Sequence, residues 1–570
     1  MKNNIKNIAI LSGILLICPA LSFTQNVPFP GDQKALTHHE VPDNPYLAPV
    51  AGKKGSVFSR PESGGFFTVQ VNVDADGNNI TGDAANEPSI AVDPTNPDHM
   101  VIGWRQFDNV SSNFRQAGYG FSADGGQTWT FPGVIEPMVF RSDPVLDFDS
   151  SGVFYYNSLT YNNPDYTCKV FKSADGGAVW DAGTSAHGGD KQWMAIDRTG
   201  LQGIGNIYSF WTSIYSSCYP GFFTRSTNGG ADFEDCMTVS GNPFWGTMAI
   251  GPSGELYIGG SENQDGIRVS KSVNAQIPGS AIYWNLSTHV DMDGYLYSQS
   301  PINPEGLVGQ VSIDVDCSDG PGHGNVYVLA SVARYSTSDP ADVMFARSTN
   351  GGQTWSVPQR INTDQGNTNY QWFGTMSVAP NGRIDVVWLD TRDAPPGTFF
   401  SALYYCYSIN QGETWSINKK LSDSFDPTVG YPMQNKMGDY FDMISDDEGA
   451  HLAWANTLNG EQDVYYTHII PQITGIEEGF QHQDLLSLSA YPNPFYDQAA
   501  IRYTLGADGP VDLVICDLYG KTLATLVHKE QKAGAYSIRY AGEELSSGFY
   551  FCRLTSGVQA RTISLVKINR

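Results

Sequence analysis

From residue 66 onward, apolar and polar positions alternate in short runs, and turn-forming residues separate each pair of runs. Seven such units open at residues 88, 143, 193, 246, 311, 374 and 441, for example "PSIAVDPTNPDHMVIGW", "GTMAIGPSGELYIGG" and "FDMISDDEGAHLAWANT". Alternation around a Gly-, Pro-, Asn- or Asp-rich turn is the pattern of a β-hairpin with one buried face. Between the hairpins, a third apolar run leads into a polar octet that ends on an aromatic residue. The octets begin at 122 ("SADGGQTW"), 173, 226, 348 and 408, and a degraded copy runs from Ser272 through Asn274 to Trp284.

Hairpin, third strand, octet and fourth strand together make one four-stranded unit, and repetition at this period points to a β-propeller. The seventh unit has a third strand, "DVYYTHI" (463–469), but no octet after it. Its missing strand is expected to come from "FFTVQVNV" (66–73), which would close the ring and leave no free edge. The expected fold is all-β: a seven-bladed propeller, alternatively six-bladed, followed by a small C-terminal β-sandwich of six strands. The domain plan is a signal peptide at 1–22, an N-terminal linker at 23–65, the propeller at 66–471, a linker at 472–487 and the sandwich at 488–570.

Composition narrows the setting. The 570 residues include 60 Gly and 32 Pro, which suits many turns better than a helical bundle. A balance of 33 Lys+Arg against 59 Asp+Glu argues against nucleic acid or an anionic membrane as partner. Lys2 and Lys6, the apolar run Ile8–Ile17 and the small-x-small motif ending at Ser22 read as a secretory signal, and no later stretch is long enough to span a bilayer. Seven cysteines remain beyond that signal, an odd number that leaves at least one unpaired; isolated thiols are expected, with Cys516 and Cys552 the pair to test.

The octets resemble the Asp-box (BNR) repeat of sialidase-like propellers. The matching residues are Ser122, Asp124, Gly126 and Trp129, with Ser173, Asp175 and Trp180, Ser348, Asn350 and Trp355, and Ser408, Asn410 and Trp415 in later copies. The resemblance implies that each octet joins the third and fourth strands on the face opposite an active site. Chemistry agrees: Asn replaces Asp at 228, 350 and 410, which an essential acid would not tolerate. The tail resembles the type IX secretion sorting domain of Bacteroidota through "YPNPF" (491–495), "DLYGK" (517–521), "LSSGFYFCRL" (545–554) and the basic end "KINR". It implies passage across the outer membrane, handling by the type IX machinery, and a secreted or cell-surface location.

The face opposite the octets carries the candidate chemistry. A sialidase-like site would use guanidinium forks on a substrate carboxylate, a tyrosine nucleophile and a carboxyl acid/base. Arg105, Arg141 and Arg392 are the candidate triad, Tyr440 the nucleophile, and Asp143 or Asp190 the acid/base. Glu87, Trp245, Trp372, Asp390 and Asp439 are candidate substrate contacts, and Gln310 lies on the same approach. The expected activity is therefore hydrolysis of extracellular complex glycans. The alternatives are a non-catalytic propeller that binds glycans or proteins at the cell surface, or a polysaccharide lyase. No cofactor is required, although "NVDADGNNITGD" places Asn72, Asp74, Asp76 and Asp83 at calcium-ligand positions of an EF-hand-like loop, a candidate structural Ca²⁺ site against the alternative of a plain Asp/Gly turn.

Overall fold

The computed structural model describes residues 44–472 and 487–568, apart from 51–53, 163–164, 263–265, 497, 506–507, 518–519, 533, 543–544 and 558. The expected signal peptide, the first linker up to residue 43 and the segment 473–486 lie outside the described residues. The chain divides into two compact units, Met1–Gln472 and Ile473–Arg570.

Among the described residues, seven antiparallel sheets of three to five strands follow one another through the larger unit, beside two two-stranded ones. Their innermost strands are Ala84–Val92, Ser142–Phe148, Trp193–Ile196, Met248–Ile250, Ser312–Val315, Gln371–Val378 and Asp442–Ser445. Each of these strands packs against the next, and the last packs against the first, so the arrangement is propeller-like. Phe66–Gln70 pairs antiparallel with Asp463–Ile469 and so adds an early strand to the last sheet. The third sheet has three strands, with the bridge Phe223–Met237 where a fourth would run.

A repeated device stitches these strands together. A side chain on one innermost strand accepts the backbone N–H of the next: Ser89 from Leu146 (2.9 Å), Asp147 from Ile196 (2.7 Å) and Thr247 from Ile313 (2.9 Å). Asp314 takes Val378 (2.8 Å), Ser377 takes Ser445 (2.9 Å), and Asp442 takes Ile90 (3.1 Å), so six of the seven junctions carry it. Side chains thus satisfy donors that inter-strand pairing within a sheet leaves over.

The octets are turns that lock one sheet to its neighbour. Ser122 Oγ donates to Asp124 Oδ1 (2.8 Å) and accepts the Gly126 N–H (2.9 Å), while Asp124 Oδ1 accepts the Thr128 N–H (2.9 Å). Asn350 and Asn410 take the same N–H with Oδ1 at 3.0 Å, so an amide serves as well as a carboxylate. Trp129 packs on Tyr466 of the preceding sheet (ring centroids 5.4 Å) and Trp180 on Tyr119 (5.8 Å). Gly126 has φ +81°, and a Cβ there would lie 2.2 Å from the Tyr466 ring, so both conformation and space require glycine.

The smaller unit forms two antiparallel sheets. Gln498–Leu505 is central in one, and Gly509–Cys516 and Gly548–Ser556 are central in the other. They share a buried core that includes Ile501, Leu513, Ile515, Leu554 and Leu565. Seven strands are present rather than six, because Ser487–Tyr491 adds one. The cysteine expectation is also corrected: Cys218 and Cys236 form a disulfide, whereas Cys516 and Cys552 stay free on adjacent strands. Their register pairs Ile515 with Cys552 and Cys516 with Phe551, so the two thiols are not opposite each other.

Candidate functional site at the axis

Each of the seven innermost strands carries a left-handed residue in or just before its opening residues: Glu87, Asp143, Lys191, Trp245, Phe373 and the glycines Gly309 and Gly438. The five non-glycine residues have φ between 47° and 57°, a conformation that costs on the order of 1 kcal/mol or more each and tends to gather at functional or closely fitted sites.

Three of these residues and their neighbours form a buried ionic cluster. Lys436 bridges Glu87 (3.1 Å) and Asp439 (2.6 Å), and Lys191 bridges Asp439 (2.8 Å), Asp190 (3.4 Å) and Asp143 (3.5 Å). Arg105 adds a contact to Glu87 at 3.2 Å. All seven side chains are fully buried. Burial pushes the Glu87 carboxyl up to about 8, against the pull of Arg105 and Lys436. Burial likewise raises Asp190 to about 6, whereas for Asp143 the attraction of Lys191, Arg105 and Lys436 outweighs burial and holds it low. Burial lowers Lys436, with Arg105 adding to the effect.

A hairpin of Ser298–Ser300 and Asn303–Leu307 is tied to the segment that carries this cluster. Asn303 donates to the Gly438 carbonyl (2.8 Å) and accepts the Met437 N–H (2.9 Å), and the Leu307 N–H reaches Asp439 (2.8 Å).

The predicted catalytic set is not brought together. Arg105 is committed to Glu87 within the cluster. Arg141 pairs with Glu136, which also holds Lys169, and lies over the Phe171 ring. Arg392 pairs with Asp390 (2.6 Å) and stacks on Tyr404 (4.3 Å). A carboxylate-binding triad needs three guanidiniums facing one point, and here each neutralises a different carboxylate. Tyr440 donates to the Pro144 carbonyl (2.7 Å), and burial raises its hydroxyl well above the usual range.

Trp245 and Trp372 are buried, the latter donating to Ser401 Oγ (3.1 Å), so neither indole presents a face for a sugar. Asp143, Asp190, Glu87 and Asp439 do meet, as parts of the ionic cluster. Lys436, which binds two of them, escaped sequence reasoning because a lysine in a polar approach carries no periodic signal.

The calcium-type positions also separate. Asp74 and Asp76 both bind Lys54 (2.8 and 2.6 Å), and Asp74 accepts the N–H groups of Asp76 and Asn78 in a tight turn. Asn72 and Asp83 point elsewhere, to Asp463 and to Gln106 (3.0 Å) respectively. The described residues also bring His187 near Cys218 and Cys236, whose sulfurs are already bonded to each other.

An open space lies on the other side of the cluster. A cavity of 730 Å³ follows the axis, with Trp193, Gln310, Phe373 and Tyr440 at the start of the innermost strands and Pro94, Thr199, Pro252, Cys317 and Pro380 in the turns that end them. Those turns share an end of the ring with the octets, as the bond from Gly125 N–H to the Asp98 carbonyl (3.1 Å) illustrates. Its walls carry Asp147, Asp314 and Asp442, the junction acceptors described above. Burial pushes Asp314 and Asp442 up to about 6. This opening was not expected from sequence; its signal is the acid that interrupts the apolar strands "VLDF", "SIDV" and "FDMI".

No curated protein matches the chain. Among solved structures, a protein of unknown function from Dyadobacter fermentans is similar at 14% identity over 72% of this chain and all of its own, with a TM-score of 0.41. A phage phi92 endosialidase is similar at 9% identity over 88% of this chain and 87% of its own (TM-score 0.39). A Trypanosoma rangeli sialidase is similar at 10% over 91% and 89% (TM-score 0.37). Among the described residues no helix is long and apolar enough to cross a membrane. Residues 489–568 match the family of secretion system C-terminal sorting domains, so the smaller unit is a sorting tail that marks the chain for secretion or the cell surface.

Proposed function

We propose that the larger unit is a seven-bladed β-propeller, exported by type IX secretion, that binds extracellular glycans without cleaving them. The observation that carries this reading is the separate pairing of Arg105, Arg141 and Arg392 with Glu87, Glu136 and Asp390. Among the described residues, the acids beside them are held in ion pairs, and those of the face expected to host hydrolysis form no pair open to a substrate. Glycan as the ligand class follows from the extracellular destination, the resemblance of the octets to the Asp-box repeat, and an axial cavity lined by both rings and polar groups.

The test is to incubate the full chain with a panel of oligosaccharides, sialosides included, and to follow both binding and released reducing sugar. Saturable binding with no product is expected. Turnover that disappears in Arg141→Ala would overturn the reading in favour of hydrolysis, and the absence of binding to any member would overturn glycan recognition itself.

A further inference from the structure

We propose that the axial cavity, entered from the octet face, is a binding site for a neutral saccharide unit. The inference rests on the glycan-binding reading above and names the site and the class of sugar. A volume of 730 Å³ lies within the range of small-ligand sites, and a single pyranose ring would leave room for a second. The entrance is ringed by the turns that join first and second strands, so the ligand arrives from the side opposite the ionic cluster.

Gln310 provides the pointer to a ligand. It lines the cavity, is only 5% exposed, and neither its amide nitrogen nor its amide oxygen has a hydrogen-bond partner. A buried primary amide left unpaired costs roughly 1–3 kcal/mol. One carboxamide offers a donor and an acceptor about 2 Å apart, which matches two neighbouring sugar hydroxyls. Trp193, 9% exposed, also lines the cavity and offers an apolar surface of the kind that receives the C–H face of a pyranose, while the more deeply packed Phe373 and Tyr440 complete the apolar wall.

The electrostatics select against anions. Three carboxyl groups, Asp147, Asp314 and Asp442, face the cavity. The cation on its lining, Arg198, is bound to Asp147 and lies over the Phe148 ring at 4.2 Å. A sialoside or uronate would bring its carboxylate toward this acidic wall without a free guanidinium to receive it. A neutral hydroxyl-rich unit meets no such penalty.

The full chain should be titrated with lactose, xylotriose, mannotriose and chitobiose, and with 3′-sialyllactose and digalacturonate as anionic counterparts. Two variants locate the site. Gln310→Leu removes the unpaired amide and is expected to lower affinity for the bound neutral sugar at least tenfold while leaving or raising the melting temperature. Cys317→Trp, at the exposed rim, should block entry and abolish the same binding. Neutral-sugar binding that survives both changes would overturn the axial site while sparing glycan recognition elsewhere on the propeller. Binding of the two acidic sugars alone, lost in both variants, would overturn the neutral class, and no binding to any probe would overturn both this inference and the reading beneath it.

Discussion

Replacing Lys436 by methionine is the most revealing single perturbation of the axis. Its ammonium lies 3.1 Å from Glu87 and 2.6 Å from Asp439, with all three groups fully buried. Removing one partner of a buried ion pair commonly costs about 3–5 kcal/mol, because the remaining charge is left in a poor solvent. Glu87 keeps Arg105 and Asp439 keeps Lys191, so the lower figure, about 3 kcal/mol, applies here. For a unit of roughly 400 residues, an unfolding entropy of about 2.1 cal/mol/K per residue gives about 0.8 kcal/mol/K, and the expected fall in Tm is about 4 °C. The double variant Lys436→Met/Glu87→Gln removes one charge of each sign and should recover about half of that loss. Differential scanning calorimetry of the full chain reads both. A Tm unchanged or raised in Lys436→Met would refute the reasoning, since charges kept for chemistry rather than for fit are those whose removal stabilises a protein.

Other outcomes follow from the same geometry. Asp314 is held near 6 by burial, above its ordinary value, so the folded state grips this proton more tightly than the unfolded chain. Its contribution to stability is present below about pH 4 and is lost as pH rises towards 6; Asp314→Asn should flatten that slope by at most about 3 kcal/mol, and by less because the carboxyl faces the cavity, as urea denaturation at pH 4.5 and 7.5 would show. In the first octet, Asp124→Asn should be nearly neutral, as Asn350 and Asn410 illustrate, whereas Gly126→Ala should cost more than about 2 kcal/mol through strain and contact with Tyr466; thermal melts compare them. The Cys218–Cys236 disulfide spans 18 residues, and Cys218→Ser/Cys236→Ser should cost about 3 kcal/mol in guanidinium titrations run under oxidising conditions.

The repeat architecture was legible because it is written redundantly. Seven hairpins of alternating polarity and five clear octets each vote for the same unit, and the lone strand at 66 had an apolar pattern without a local partner, which located its pairing with Asp463–Ile469. The octets were also readable as scaffold, since Asn at 228, 350 and 410 rules out acid chemistry while preserving the turn. The tail announced itself through "YPNPF" and its partner motifs.

The site was harder to read, for a physical reason. Several residues at the mouths of strands do meet, as Glu87, Asp143, Asp190 and Asp439 do, but sequence carries the sign of a charge and not the partner that neutralises it. Arg141 and Arg392 looked like free forks until Glu136 and Asp390 were seen beside them. The disulfide was missed because Cys218 and Cys236 come together through an irregular loop with no strand register to predict it. The cavity was missed because Asp147, Asp314 and Asp442 each look like an isolated polar interruption; only the ring makes them one wall.

Non-catalytic binding stands or falls on whether a bound glycan is left intact. Mass spectrometry of oligosaccharides recovered after overnight binding to the full chain, across neutral and sialylated members, measures this in one step. Non-catalytic binding requires that at least one neutral glycan be retained at unchanged mass. Loss of a sugar residue from any bound glycan, dependent on the protein, would contradict it.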